Sequence, residues 1–272
     1  MDKRLSGFLG RYLLGLGGAL LLSAMSMGVQ AQISGSKHDL TSTGGAGNKV
    51  SGTGANGSPE ICVFCHTPHA SNSNVNAPLW NKAVSSSVLT TYSQTNSSTM
   101  DGSVTTGGVS LACLSCHDGS QSMDVLINIP GSGGLSTGAR AYGGAGYTWS
   151  ATADGKIVQS SIANLGVDLT NDHPIQVPYC GGGMTLSGGA GVLTACADAD
   201  FNAPVTMSAN TIAYFDGNSN SKRDKADIQL YSRNSDYFVE CGSCHDPHNT
   251  SVGTFLRKSN AASAVCLTCH NK

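Results

Sequence analysis

The sequence predicts mostly irregular coil, with short helices and few strands, organised around something other than a side-chain core. Three observations lead there. Large apolar side chains are scarce: 6% of the 272 residues are aromatic and 35 are Gly. A chain of that composition buries too little apolar surface to offset its conformational entropy. Ser/Thr/Gly/Asn-rich stretches at 41–58, 85–108 and 131–155 read as loop. Finally, one motif recurs four times: Cys62-Val63-Phe64-Cys65-His66, Cys113-Leu114-Ser115-Cys116-His117, Cys241-Gly242-Ser243-Cys244-His245 and Cys266-Leu267-Thr268-Cys269-His270. Each is a c-type haem attachment sequence. Two thiols bond one porphyrin covalently, and the following His binds the iron from one side. The expected class is therefore multihaem cytochrome c, in which the polypeptide wraps four covalently bound haem c groups that serve as the core.

Residues 1–31 read as a signal peptide. Lys3, Arg4 and Arg11 form the positive end, Leu13 to Met27 the apolar run, and Val29-Gln30-Ala31 the small-residue cleavage site. The alternative is an uncleaved anchor, but the run is shorter than the roughly 20 residues a spanning helix needs. An exported protein at the cell surface or outside the cell is expected, with the periplasm as the alternative. Such compartments allow disulfides. Cys180 and Cys196, the two cysteines outside the motifs, are a candidate bridge worth on the order of 3 kcal/mol; the alternative is two free buried thiols.

Residues 32–272 form one tetrahaem domain in this reading. A first haem pair spans about 32–123, a haem-free insert about 124–235, and a second pair about 236–272. The pairs are a loose internal repeat: each opens on Cys-x-x-Cys-His-x-Pro-His, ending at His69 and His248, and closes on a plain Cys-x-x-Cys-His. Short helices are expected at the motifs. In the insert, the alternation Ile228-Gln229-Leu230-Tyr231 predicts a strand. Just before it, Asp216, Asn218, Asn220, Asp224 and Asp227 place oxygen side chains at spacings that partly match a Ca²⁺ loop. Ser221 stands where Gly is expected and Asp227 where Glu is, so a polar turn is the competing reading.

The chain has eight histidines. His66, His117, His245 and His270 follow the cysteine pairs as proximal ligands, which leaves His38, His69, His173 and His248 as candidate distal ligands, one per haem. His69 and His248 lie three residues beyond a proximal His and cannot reach the far face of the same porphyrin, so each is expected on a neighbouring haem. His38 is expected on the first haem or in another subunit. Met100, Met123, Met184 and Met207 are the competing ligands. Iron held by two histidines has no open position for substrate, which points to electron transfer and away from an enzyme such as an oxyanion reductase. Zinc also binds Cys-x-x-Cys pairs, but a His directly after every pair argues for haem.

Charge argues against a phosphate-backbone partner. The chain carries 15 basic and 17 acidic residues. Removing residues 1–31 takes away Lys3, Arg4, Arg11 and Asp2, leaving 12 against 16, a formal −4. Without a basic stripe, no nucleic acid is expected.

Several phrases together resemble the exported tetrahaem cytochromes of metal-reducing bacteria, in particular the OmcE-type nanowire cytochromes of the doubled Cys-x-x-Cys-His group. They are Lys37-His38-Asp39-Leu40, Ile61 to His69, Ala77-Pro78-Leu79-Trp80-Asn81, Asp172-His173-Pro174 and Cys241 to His248. The resemblance implies copies joined head to tail in an extracellular filament, with a histidine of one subunit ligating a haem of the next. It also implies redox partner cytochromes and extracellular electron acceptors. The fourth motif, close to the last residue of the sequence, is expected at a subunit edge. A monomeric shuttle, with all four haems completed in cis, needs the same residues.

Overall fold

Regular structure among the described residues is confined to short runs, three of which are attachment motifs themselves. The computed structural model describes residues 33–271 apart from 46, 52–57, 59, 94–95, 130–146, 188–191 and 207–211. The expected signal segment and Met207 lie outside the described residues.

The second motif forms a helix, α1 (Ser110–His117). Val109, at its N-cap, supplies no side-chain cap. The Glu240 carboxylate does so from across the molecule, accepting the Ser110 N–H at 3.2 Å and the Ser110 hydroxyl. The third and fourth motifs are single turns, α2 (Cys241–Cys244) and α3 (Cys266–Cys269). The first motif takes turns only.

The stretch expected as a haem-free insert holds more strand than the single one read from its alternation. Six short strands form there among the described residues and a seventh just beyond: β1 (Val177–Pro178), β2 (Thr185–Ser187), β3 (Val192–Ala195), β4 (Val205–Thr206), β5 (Ile212–Phe215), β6 (Ile228–Arg233) and β7 (Asp236–Val239). Five make an antiparallel sheet in the order β1-β7-β6-β5-β4, and β2 pairs with β3. Pro178 sits on the edge strand, where a missing N–H costs no ladder bond. The strands are too short for alternation to register, which is why only β6 was visible. The sheet has a direct use: β7 runs through Glu240 into α2 and so fixes the third motif. Cys180 and Cys196 are bridged, with Cα atoms 5.6 Å apart, and the bridge packs with Tyr179, Met184, Ala213 and Leu230.

A second cluster contains Val50, Phe64, Met123, Leu126, Tyr147 and Trp149, and Cys65 and Cys116 lean on it. Tyr147 and Trp149 belong to a stretch read as loop. It is irregular, as expected, but its two rings are buried, and Trp149 bridges Val50. A third, small cluster holds Val75, Trp80 and Ala112.

The acidic loop before β6 is closed by its own hydrogen bonds. Asp216 accepts the N–H groups of Asn220 and Ser221 at 3.1 and 2.7 Å. Asp227 accepts those of Gly217 and Asp224 at 3.0 and 2.8 Å. The Asn218 and Asn220 amides donate to Asp224 at 2.8 and 3.2 Å. Ser221 adopts φ +59, the left-handed conformation a Ca²⁺ loop asks of Gly at that place. No three His, Cys, Asp or Glu side chains converge in a metal-holding group among the described residues.

Candidate haem-attachment site

Three motifs end in the same local arrangement. The motif histidine makes a one-residue antiparallel bridge to a large apolar residue: His66 to Trp80, His245 to Leu256, His270 to Phe201. The next residue of that segment then donates its backbone N–H to the motif's second cysteine: Asn81 to Cys65 at 2.9 Å, Arg257 to Cys244 at 2.8 Å, Asn202 to Cys269 at 2.8 Å. Its side chain reaches the carbonyl just after the first cysteine: Asn81 to Val63 at 2.7 Å, Arg257 to Gly242 at 2.9 Å, Asn202 to Leu267 at 3.0 Å. These clamps were missed in the sequence. Their signal is a large apolar residue followed by Asn or Arg, which becomes visible only once the three segments are aligned by the structure.

The rings are oriented by carbonyls. Nδ1 of His66 bonds Pro78 O at 2.7 Å, that of His117 bonds Ala163 O at 2.7 Å, and that of His245 bonds Thr254 O at 2.9 Å. Nδ1 of His173 bonds Pro174 O at 2.9 Å. A carbonyl can only accept, so Nδ1 carries the proton and Nε2 is left as ligand, the usual arrangement of metal-bound imidazoles. Leu79 and Thr254 take φ +55 and +58 beside these carbonyls. Left-handed backbone at non-Gly residues is costly and collects at functional sites.

The structure brings six histidines together in pairs. Ring centroids are 6.0 Å apart for His66–His248, 6.1 Å for His117–His38 and 6.4 Å for His270–His173. With metal–nitrogen bonds of about 2.0 Å and a ring radius of about 1.1 Å, imidazoles on opposite sides of one metal ion sit roughly 6 Å apart. Burial, then the neighbouring His117, holds His38 down at about 4, so it is neutral near pH 7 and fit to ligate. Burial likewise lowers His117 and His248. Phe255 stacks on His38 at 4.2 Å and Phe201 packs on His270 at 4.5 Å. The Trp80 indole N–H is buried near His66 without an acceptor, as a donor meant for a bound group would be. The residues thus fit haem. Met123 and Met184 are buried in side-chain clusters instead.

His69 and His245 form no such pair, and both are exposed. His38 faces the second motif rather than the first. Its turn is held by Asp39, which accepts the N–H groups of Gly35 and Thr41, and by Val50 N–H bonding Leu40 O. The insert is not separate from the site: Ala163 orients His117, and His173 faces His270.

The cysteines lie next to one another in motif order. Burial pushes Cys65 up to about 12, with Cys116 the next influence. A hydrogen bond between Cys113 and Cys241 pushes the former well up and holds the latter down. Burial pushes Cys269 up to about 12, with Cys244 next. First and second, second and third, and third and fourth motifs are therefore neighbours.

The family described as the doubled CXXCH motif matches residues 238–272. No curated protein matches the chain. The family match indicates covalent haem c, a multihaem c-type cytochrome, and haem-based electron transfer.

Proposed function

We propose that the chain carries four haems, each held by two histidines, and passes electrons along them as a subunit of an extracellular filament. One observation carries this reading: three histidine pairs form within the chain at 6.0 to 6.4 Å, and the two histidines left over are exposed, one proximal and one distal. His66 and His248 serve the first haem, His117 and His38 the second, His270 and His173 the fourth. His69 of one copy completes the third haem, on His245 of another. The repeat supports this partner: His248, the extra histidine of the third motif, faces His66 of the first, and His69 is its counterpart.

When bound, haem supplies a one-electron iron couple at each motif. The protein holds each ring by its cysteines and two neutral imidazoles, closes the iron to substrate, and keeps successive groups adjacent. The reading is a carrier rather than an enzyme, exported by its N-terminal segment. It takes electrons from partner cytochromes and delivers them to extracellular acceptors. A contact that joins unlike faces of identical copies propagates into a filament. Cryo-electron microscopy of material sheared from producing cells tests this. Filaments with density joining His69 and His245 of successive copies are expected. Discrete particles with every haem closed within one chain would sink the filament and leave a shuttle.

A further inference from the structure

Lys82 is fully buried, at 0% exposure. Its Nζ donates to the carbonyls of Ser122 at 3.0 Å, Met123 at 3.0 Å and Val125 at 3.5 Å. No carboxylate lies within ion-pair distance of it among the described residues. Asp124, in the same turn, is engaged elsewhere: it accepts the Ser122 hydroxyl and, at 3.1 Å, the Tyr147 N–H. An ammonium has three donors and no acceptor. Three carbonyl oxygens take those three donors, so the ammonium sits in the interior without a carboxylate partner.

That charge lies beside the first motif. Asn81, the preceding residue, pairs with Cys65 through its backbone and with Val63 through its side chain. We infer that Lys82 sets the potential of the first haem, its caged ammonium stabilising the reduced state there and making that haem the highest-potential site of the chain. The inference rests on the haem assignment above. Reduction adds one negative charge, and a unit charge at roughly 10 Å in an effective dielectric of about 20 changes such an equilibrium by roughly tenfold. For one electron, tenfold is about 59 mV.

The test is a spectroscopic redox titration of the haem-loaded protein with Lys82→Gln, which keeps donors but no charge, and Lys82→Arg, which keeps the charge. In Lys82→Gln one of the four steps is expected to fall by roughly tenfold in its equilibrium, while the others stay within about twofold and Lys82→Arg restores it. A folded Lys82→Gln protein with every step within about twofold of the parent overturns the inference. So does failure of Lys82→Arg to restore a shifted step. If Lys82→Gln does not fold, magnetic-resonance assignment of the parent's haems decides: a first haem that is not the highest in potential overturns the inference. Haem content and spin state of the same samples separate this from failure of the haem assignment, which would show as a missing haem or high-spin iron at the first motif.

Discussion

The first and third motifs share one sequence pattern and one local structure, yet their extra histidines meet different fates. In both, the motif histidine bridges an apolar residue, its Nδ1 bonds a carbonyl beside a left-handed residue, and an Asn or Arg clamps the turn. His248 then faces His66, whereas His69 is exposed with no imidazole opposite it. The local pattern sets the proximal side of each site. The distal side depends on what the rest of the molecule brings near, and among the described residues no histidine ring stands opposite His245 as His248 does opposite His66.

The largest effect should come from breaking that asymmetry. On the proposed assignment, His248→Ala should open the first haem in every form of the protein, monomer included, and high-spin iron should appear in its absorption spectrum. Removing His69 by His69→Ala should leave the spectrum of dispersed subunits unchanged and abolish filaments outright under the microscope. High-spin iron newly produced by His69→Ala in dispersed subunits would mean that His69 is a ligand in cis, and the two motifs would then be equivalent.

The motifs also differ in what supports them from behind. The third rests on Glu240, which is 1% exposed, caps α1 and forms an ion pair with Arg233, Nη1 to Oε1 at 3.4 Å. Arg233 also donates to Thr105 O at 2.8 Å and covers Phe238 at 4.1 Å. Burial raises the Glu240 carboxyl above its usual range, with the Ser110 hydrogen bond and then Arg233 acting against the shift. A carboxyl raised in the folded state costs stability as pH rises from its unfolded value through its folded one. Arg233→Met should therefore destabilise by about 3–5 kcal/mol at neutral pH, the range for one partner lost from a buried pair. The deficit should shrink on acidification as Glu240 takes up a proton, which denaturant titrations at several pH values would show. A pH-independent loss would assign Arg233 to packing on Phe238 alone.

The recurring Cys-x-x-Cys-His motifs and the strand at Ile228 were legible because each is written locally, in a motif or an alternation. The capping of α1 by Glu240 was not, since the two are 130 residues apart. Nor was the sheet: β1 and β4 are two residues each, too short for a period. Counting histidines gave equal numbers of proximal and distal candidates. A count carries no geometry: it left His38 to the first haem or to another subunit, whereas its ring stacks on Phe255 and stands 6.1 Å from that of His117. The clamps Asn81, Asn202 and Arg257 lie before or after their motifs and at unequal distances, so no spacing rule finds them.

Those clamps offer the finest comparison, because one geometry recurs at different depths. Asn81 is 0% exposed, and its amide donates to Val63 O at 2.7 Å and Asn128 O at 2.9 Å while its oxygen accepts the Asn128 N–H at 2.9 Å. Truncation to Ala leaves the buried Val63 carbonyl and the half-buried Asn128 carbonyl and N–H without their partner, so about 3 kcal/mol should be lost. Asn202 makes the equivalent bond to Leu267 O, but that carbonyl is at the surface and Leu267 is 49% exposed. Water can replace the amide there, and Asn202→Ala should cost about 1 kcal/mol. Equal losses in chemical denaturation would show that the clamp acts by shaping the turn rather than by satisfying buried groups. The larger loss at Asn81 would place the cost in desolvation, and would explain why the first motif, which has no helix of its own, depends on its clamp more than the fourth does.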